Sequence, residues 1–260
     1  MSGDPFLSVV VPVFNELDSI DALYRELDAC LSGVAGGIEI ILVDDGSSDG
    51  SVERMRTIAE KDARVRVLVL DRNHGQSTAL DAGFQAARGE VTATLDADLQ
   101  NDPADLPRLI ALLDQADVVN GIRARRSDRW SRQLASRVAN GFRNWVTGES
   151  VTDVGCSLRV IRTAHLRRIK LYRGMHRFLP TLLRMEGARV IEVPVSHRPR
   201  RFGVSKYGNL DRLAAGIVDL WAVRWMQSRN RAYRVEEQPL RRESGDPPTG
   251  PQGGEAFHRK

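Results

Sequence analysis

The sequence predicts an α/β fold with a mostly parallel central sheet flanked by helices. Three observations predict it. Short runs dominated by Val, Ile and Leu recur through the first 121 residues, each is followed by a stretch with helical spacing, and acidic or glycine-bearing clusters stand where the runs end. Short apolar runs bounded by turn residues read as strands buried on both faces. Their alternation with helices implies parallel pairing through right-handed crossovers.

Taken in order, Val9 to Val13 is the β-branched part of a strand over 7–13 that runs into Phe14-Asn15-Glu16, and a helix follows over 18–32. The next strand, 38–43, ends in Asp44-Asp45-Gly46-Ser47-Ser48-Asp49 before a helix over 50–61, for which Ser48 or Asp49 is the expected N-cap. A strand over 65–70 leads to Asn73-His74-Gly75-Gln76-Ser77 and a helix over 76–87. Then come a strand over 90–95, a helix over 103–115 and a strand over 117–121. Residues 125–145 have a helical pattern, and Val190 to Val195 reads as a late strand. From Arg231 to Lys260, Gly, Pro and charged residues leave almost nothing to bury, so a disordered tail is expected. There is no internal repeat.

Composition narrows the classes. With 260 residues, 42% hydrophobic and 28% charged, the chain has the make-up of one globular α/β domain with a sizeable core. The net charge of +4 is modest, but it is unevenly spread: acids concentrate before Asp117, whereas 121–143 and 159–201 are crowded with Arg. Such a basic half suits phosphates or an anionic membrane surface, or is simply a solvated face. No recognised nucleic-acid module or aromatic stacking pattern accompanies it, so nucleic acid is not the expected partner. Cys30 and Cys156 lie far apart without metal-ligand spacing and read as reduced thiols of a cytosolic protein. Met1 to Pro5 has no basic region of a secretory signal, and no run of about 18 apolar residues offers a membrane span.

The chemistry gathers at strand ends. Leu95-Asp96-Ala97-Asp98-Leu99-Gln100 places two carboxylates one residue apart after an apolar run. Alternate side chains of an extended segment share a face, so Asp96 and Asp98 would converge on one hard cation, with the Gln100 carbonyl continuing that face. The competing reading is a polar turn whose acids cap the helix near Pro103. Because open α/β sheets bind ligands beyond the carboxyl ends of parallel strands, one crevice would collect Asn15, Glu16, Asp44, Asp45, Asp96 and Asp98.

The ordered motifs VVVPVFNE, VDDGSSDG, NHGQSTALDAG, LDADLQNDP, DVGCSLR and RFGVSKY make the chain resemble the family 2 glycosyltransferases of the GT-A fold. The branch it is similar to comprises the polyprenyl-phosphate glycosyltransferases, among them dolichol-phosphate mannosyl synthase and bactoprenol glycosyltransferases. The resemblance implies an inverting transfer of sugar from a GDP- or UDP-linked donor to a dolichyl or undecaprenyl phosphate. By the same resemblance Pro12, Phe14, Glu16, Val43 and Asp45 surround the base and ribose. Asp96 and the Ala97 backbone hold the nucleotide, and Asp98 and Gln100 ligate Mg2+ or Mn2+. Arg123, Arg132, Arg200 and Lys206 neutralise phosphate charge, while Asp153 and Arg159 organise the acceptor side. Asp96, Asp98, Arg123, Arg200 and Lys206 form the implied catalytic set. Phe14 stands where the synthase branch often has Tyr. Arg200 and Lys206 flank Gly203 in a loop suited to closing as a lid.

No general base is assigned, since a phosphate monoester with a second pKa near ~6 is already largely dianionic at neutral pH. Residues 1–206 form the expected catalytic domain, 207–230 an amphipathic helix and 231–260 the tail. In that helix Leu210, Leu213, Ala214, Ile217, Leu220, Trp221 and Trp225 recur at helical spacing with Arg212, Asp219, Arg224 and Arg229 around them. The stripe either lies in a lipid interface, making the protein peripheral at the cytoplasmic face of a membrane or bound to a membrane-embedded partner, or packs on the catalytic domain. Two other functions stay open: the same fold with a soluble or glycan acceptor, which would want a carboxylate base, and a non-catalytic nucleotide-sugar-binding protein. Intact Asp98, Gln100 and Lys206 argue against the last.

Overall fold

The computed structural model describes residues 3–123, 141–199 and 209–231, the last of these with side chains from Gly216 onward. Seven strands form one sheet: β1 (Leu7–Val13), β2 (Ile38–Asp44), β3 (Val65–Val69), β4 (Val91–Thr94), β5 (Val118–Arg123), β6 (Arg159–Arg162) and β7 (Val190–Val195), in the spatial order β3-β2-β1-β4-β6-β5-β7. Around it lie α1 (Leu17–Leu31), α2 (Ser51–Ala59), α3 (Gln76–Ala86), α4 (Leu106–Ala111), α5 (141–147), α6 (Thr163–Leu166), α7 (Leu179–Met185) and α8 (Asn209–Arg229). The α/β expectation holds, and β6 runs antiparallel between β4 and β5 while the other pairs are parallel.

The strand pattern explains the layers. Leu7, Val9, Val11 and Val13 alternate onto the face covered by α1, α2 and α4, where they join Leu23, Leu27, Met55 and Leu109. Val10, Ile41 and Val43 point to the other face, under Leu80 and Phe84 of α3, Leu179 and Leu183 of α7, and Leu220 and Val223 of α8. Burial on both faces is why these strands read as continuous apolar runs. Helix α3 approaches the sheet closely at Gly83, where an added Cβ would lie 2.3 Å from Val10 Cγ1.

Chain order reverses at β1. From β1 the chain steps outward through β2 to β3, then returns to place β4 on the opposite side of β1. Pairing of β1 with β4 stops at Val10↔Thr94, so Pro12, which has no N–H to give a ladder, lies beyond the last of those pairs. The crevice at this switch point, outside the carboxyl ends of the strands, is where such sheets take ligands.

Several expectations are corrected. The helix expected over 103–115 is a 3-10 turn at Pro103–Asp105, α4, and a second 3-10 turn at Leu112–Asp114. In a continuous helix the ring of Pro107 would meet the carbonyl of Pro103, so the chain breaks there. β6, α6 and α7 were not expected. The strand β6 is only Arg-Val-Ile-Arg, with a charge at each end and no alternation long enough to notice. The apolar stripe of α8 divides: Leu220 and Val223 are buried, whereas Ile217, Val218, Trp221 (58% exposed) and Trp225 (63%) face outward. No helix among the described residues is long and apolar enough to cross a membrane. Most of the segment 125–145 and nearly all of the 231–260 tail lie outside the described residues.

Candidate active site

Four loops at the carboxyl ends of β1 to β4 are knit together by their own polar groups. Asn15, in the left-handed region at φ 51°, accepts from the Ser48 amide at 2.8 Å, and its own amide donates to Ser47 Oγ at 2.9 Å. Asn tolerates that conformation because its short amide bonds locally. The Glu16 amide donates to Ser51 Oγ at 3.1 Å and the Leu17 amide to Asp49 Oδ2 at 3.1 Å. The N-cap position of α2 is held by Gly50, and not by Ser48 or Asp49; Asp49 Oδ1 still accepts from the Ser51 amide at 3.0 Å.

Asp44 and Asp45 do different work. Asp44 Oδ2 accepts from the amides of Gly46 and Ser47 at 2.9 and 3.0 Å, which holds the β2 turn, while its Oδ1 is buried without a hydrogen-bond partner among the described residues. Asp45 turns to the next loop, accepting from the amides of His74 at 2.7 Å and Gly75 at 2.9 Å. Burial lifts the Asp45 carboxyl above its ordinary value, against those two hydrogen bonds. Gln76 then reaches the fourth loop, its Nε2 donating to Asp96 Oδ1 at 2.7 Å. Pro12 and Phe14 are half-buried at the same end of β1, whereas the Val43 side chain is wholly buried, so only its backbone is available to a ligand.

The Asp96–Gln100 segment is not an extended strand. β4 ends at Thr94, Ala97 and Asp98 form a turn, and Leu99 takes φ 61°, so Asp96, Asp98 and Gln100 do not share the face of one strand. The left-handed residue lets the Leu99 side chain enter the core at 1% exposure while Asp98, also buried, accepts from the Gln100 amide at 3.2 Å. The backbone carbonyl of Gln100 is taken by the Arg198 amide at 2.8 Å. Asp102, not Asp96 or Asp98, supplies the cap of the following turn, bonding the Ala104 amide at 3.0 Å.

Beyond β4 the residues are cationic. Arg123 meets Asp153 through a two-pronged ion pair, Nε–Oδ2 at 2.7 Å and Nη2–Oδ1 at 2.8 Å. Burial pushes the Asp153 carboxyl up, but Arg123 and the amides of Arg123 and Gly155 outweigh that and hold it below its usual range. Arg159 is the cross-strand partner of both Thr94 and Asn120, and Asn120 in turn of Glu192. These side chains form a transverse row: Arg159 Nε donates to Asn120 Oδ1 at 2.7 Å, and Asn120 Nδ2 to Glu192 Oε1 at 3.3 Å.

A cleft of about 290 Å³ opens between the two sets, lined by Gln76, Asp96, Cys156, Arg159, His176 and Arg177 among others. His176 and Arg177 belong to a 3-10 turn, Met175–Phe178, that no strand or helix pattern in the sequence marks. The local signal was Gly174, at φ 84°, ahead of adjacent His and Arg in an apolar stretch. Burial raises the Cys156 thiol to about 11, which makes it a neutral wall and no nucleophile. The His74 and His165 rings sit beside Asp71 and Asp117 and do not line the cleft. Arg132, Arg200 and Lys206 lie outside the described residues.

Residues 8–170 match the family model for glycosyl transferase family 2. The chain is 44% identical over 205 residues to undecaprenyl-phosphate 4-deoxy-4-formamido-L-arabinose transferase of Edwardsiella ictaluri, covering 78% of this chain and 63% of that protein. It is 38% identical over 223 residues to dodecaprenyl-phosphate galacturonate synthase of Rhizobium johnstonii, covering 84% and 66%. The chain thus spans just under two thirds of the length of these relatives. Among solved structures, glucosyl-3-phosphoglycerate synthase from Mycobacterium tuberculosis, in complex with Mn2+, UDP and phosphoglyceric acid, aligns at TM-score 0.63 and 20% identity over 89% of this chain and 81% of that one. A mannosyltransferase from Pyrobaculum calidifontis, in complex with GDP-Man and Mn2+, aligns at TM-score 0.59 and 21% identity over 85% and 64%. At such identities the likeness is one of fold, the GT-A fold that the motifs imply. Since the family model spans β1 to β6 with every strand-end acid described above, the chain belongs to glycosyl transferase family 2.

Proposed function

We propose that this chain is the catalytic part of a glycosyltransferase that moves a sugar from a GDP- or UDP-linked donor to the phosphate of a polyprenyl phosphate. The observation that carries this reading is the likeness, at 38–44% identity, to curated transferases named for undecaprenyl and dodecaprenyl phosphate. The geometry agrees with it, because acids at the switch point adjoin buried cations across β4.

In this reading the nucleotide lies over the ends of β1, β2 and β4. Pro12, Phe14, Glu16, Asp45 and the Val43 backbone surround base and ribose, and Asp96 and the Ala97 backbone hold the nucleotide. Mg2+ or Mn2+ fits the donor set, since nucleotide-bound cations of this kind use one or two carboxylates and leave the other positions to water and phosphate. Asp98 and Gln100 would hold it. Bound there, it would neutralise the charge that grows on the departing diphosphate without any proton transfer. Arg132, Arg200 and Lys206 join the proposal by motif, as cations for the same diphosphate. Arg123 is fixed by Asp153, so it contributes as a placed charge on a rigid fork. The acceptor needs no base at neutral pH, and what remains for the protein is positioning and charge.

The outward tryptophans of α8, with Ile217, Val218, Arg224 and Arg229, suit a lipid interface, and peripheral contact with the cytoplasmic face of a membrane, or with a membrane-embedded partner, is part of the proposal. The test is to incubate the protein with a panel of radiolabelled nucleotide sugars, polyprenyl phosphate and Mn2+, and then extract lipid. Label should enter the lipid phase and stop doing so with chelator. Label found only on a soluble acceptor would overturn the reading in favour of a glycan-directed enzyme.

A further inference from the structure

Arg159 differs from most of the guanidiniums that meet the core. Arg66 has Glu39, Arg64 has Asp62 and Asp28, Arg198 has Glu26 and Asp102, and Arg123 has Asp153. Arg159 is 3% exposed, and its hydrogen bonds go only to neutral acceptors: Asn120 Oδ1 at 2.7 Å, the His176 carbonyl at 3.3 Å and the Val154 carbonyl at 3.5 Å. Among the described residues no carboxylate lies within salt-bridge distance of it. The one short bond fixes Nε, while each terminal nitrogen makes a single long bond and keeps its second N–H. Two parallel N–H groups on one guanidinium are the fork that matches a phosphate. Asp96 and Asp153 act on its charge without bonding it, a buried charge bonded to no carboxylate is still costly, and an anionic ligand lowers that cost.

Arg143 is the other buried arginine without an ion pair among the described residues, but it does not line the cleft. Arg159 does line it, together with His176 and Arg177. The His176 ring is held in place, its Nδ1 2.7 Å from Ser77 Oγ and its backbone amide donating to the same oxygen at 3.3 Å.

We propose that Arg159, His176 and Arg177 form the seat for the acceptor's phosphate monoester. The topology selects the acceptor over the donor diphosphate. Donor residues sit on the loops of β1, β2 and β4, whereas Arg159 opens β6, past β4, and the Met175–Phe178 turn bridges it to Ser77 at the start of α3. An acceptor entering from that side brings its phosphate into the cleft that Asp96 also lines. The seat rests on the polyprenyl-phosphate reading above and assigns residues to it.

The experiment uses the full chain, farnesyl phosphate as the acceptor probe, and UDP and GDP with Mn2+ as donor probes. Arg159→Lys, His176→Asn and Arg177→Gln are each compared with the wild type in titration calorimetry and in transfer kinetics. Each variant should weaken farnesyl phosphate binding and raise the acceptor KM by roughly tenfold, the scale of one lost charge-assisted hydrogen bond, with nucleotide affinity within about twofold. A fall in nucleotide affinity instead would give the seat to the donor and overturn the proposal. Unchanged affinity for both probes with a lowered unfolding midpoint would make the group a brace, and would also overturn it. If Arg159→Lys fails to fold, the two variants on the partly exposed turn decide. A wild-type protein that transfers sugar to no polyprenyl phosphate defeats the functional reading itself, whereas an active wild type with unaltered variant KM defeats only the seat.

Discussion

The two sides of β4 hold their charges by different means. On the parallel side Asp44, Asp49 and Asp98 are fixed by amides two or three residues away: Asp44 by Gly46 and Ser47, Asp49 by Ser51, Asp98 by Gln100, while Asp45 and Asp96 reach the β3 loop at His74, Gly75 and Gln76. Past β4 the partners are distant in sequence, with Arg123 and Asp153 separated by 30 residues, Arg159 and Asn120 by 39, and Ser77 and His176 by 99. Local amides keep a loop's shape whichever acceptor occupies the position. Long-range pairs brace the fold and shape the site at once. The three locally held acids should therefore be separable from stability, and charges beyond β4 should not.

The strongest break in that comparison is Asp153→Asn. It takes the charge from the carboxyl that pairs with the half-buried Arg123 guanidinium, and removing one member of a largely buried pair costs about 3–5 kcal/mol. Urea unfolding should show that loss. Acid titration sharpens it, because a carboxyl held below its usual range stabilises the protein above its unfolded pKa of about 4, and that stabilisation disappears as pH falls through the folded value. The asparagine variant should therefore lose less stability between neutral pH and pH ~3 than the wild type. Equal acid limbs in the two proteins would show that the pair contributes nothing.

Asp98→Asn is the matching change on the parallel side. The amide oxygen of Asn can still accept from Gln100, so unfolding should shift by less than about 0.5 kcal/mol. Turnover should fall by roughly 10²- to 10³-fold, the scale of a lost charge-stabilising group at a transfer site. Full activity in saturating Mn2+ would remove Asp98 from the metal role, and unfolding would show it to be a brace after all.

Legibility in the sequence follows the same division. Strands β1 to β4 were readable because burial on both faces leaves unbroken apolar runs, and their acids were readable because each sits directly after one. The switch point followed from the order of those strands. What escaped was non-local. Nothing in Arg-Val-Ile-Arg announces a strand inserted antiparallel between β4 and β5, and nothing in Gly174 to Phe178 says that a turn 99 residues from Ser77 will close the cleft. The spacing in Asp-Ala-Asp suggested a shared strand face, yet the left-handed Leu99 ends that geometry. The donor ligands read from motif alone, Arg132, Arg200 and Lys206, lie outside the described residues.

Helix α8 carries both behaviours on one element, and its two faces give the two smallest effects. Leu220, at 3% exposure, packs under α3 and α7 with Val223, so Leu220→Ala should cost about 2 kcal/mol, the low end for a core truncation because a surface helix can settle into the gap. That loss should appear in unfolding and leave liposome binding as it was. Trp221 and Trp225 point outward, and replacing both with Ser should move stability by less than about 0.5 kcal/mol. If the proposed membrane contact is made through this face, the double variant should sediment less with anionic liposomes and transfer more slowly to long-chain polyprenyl phosphate, yet keep its rate on farnesyl phosphate in solution. A ring at the interface can bury its apolar body and still hydrogen-bond through its N–H, which serine cannot replace. Unchanged sedimentation with unchanged stability would mean that these rings face solvent or another protein, and the membrane role of α8 would fall while the catalytic reading stood.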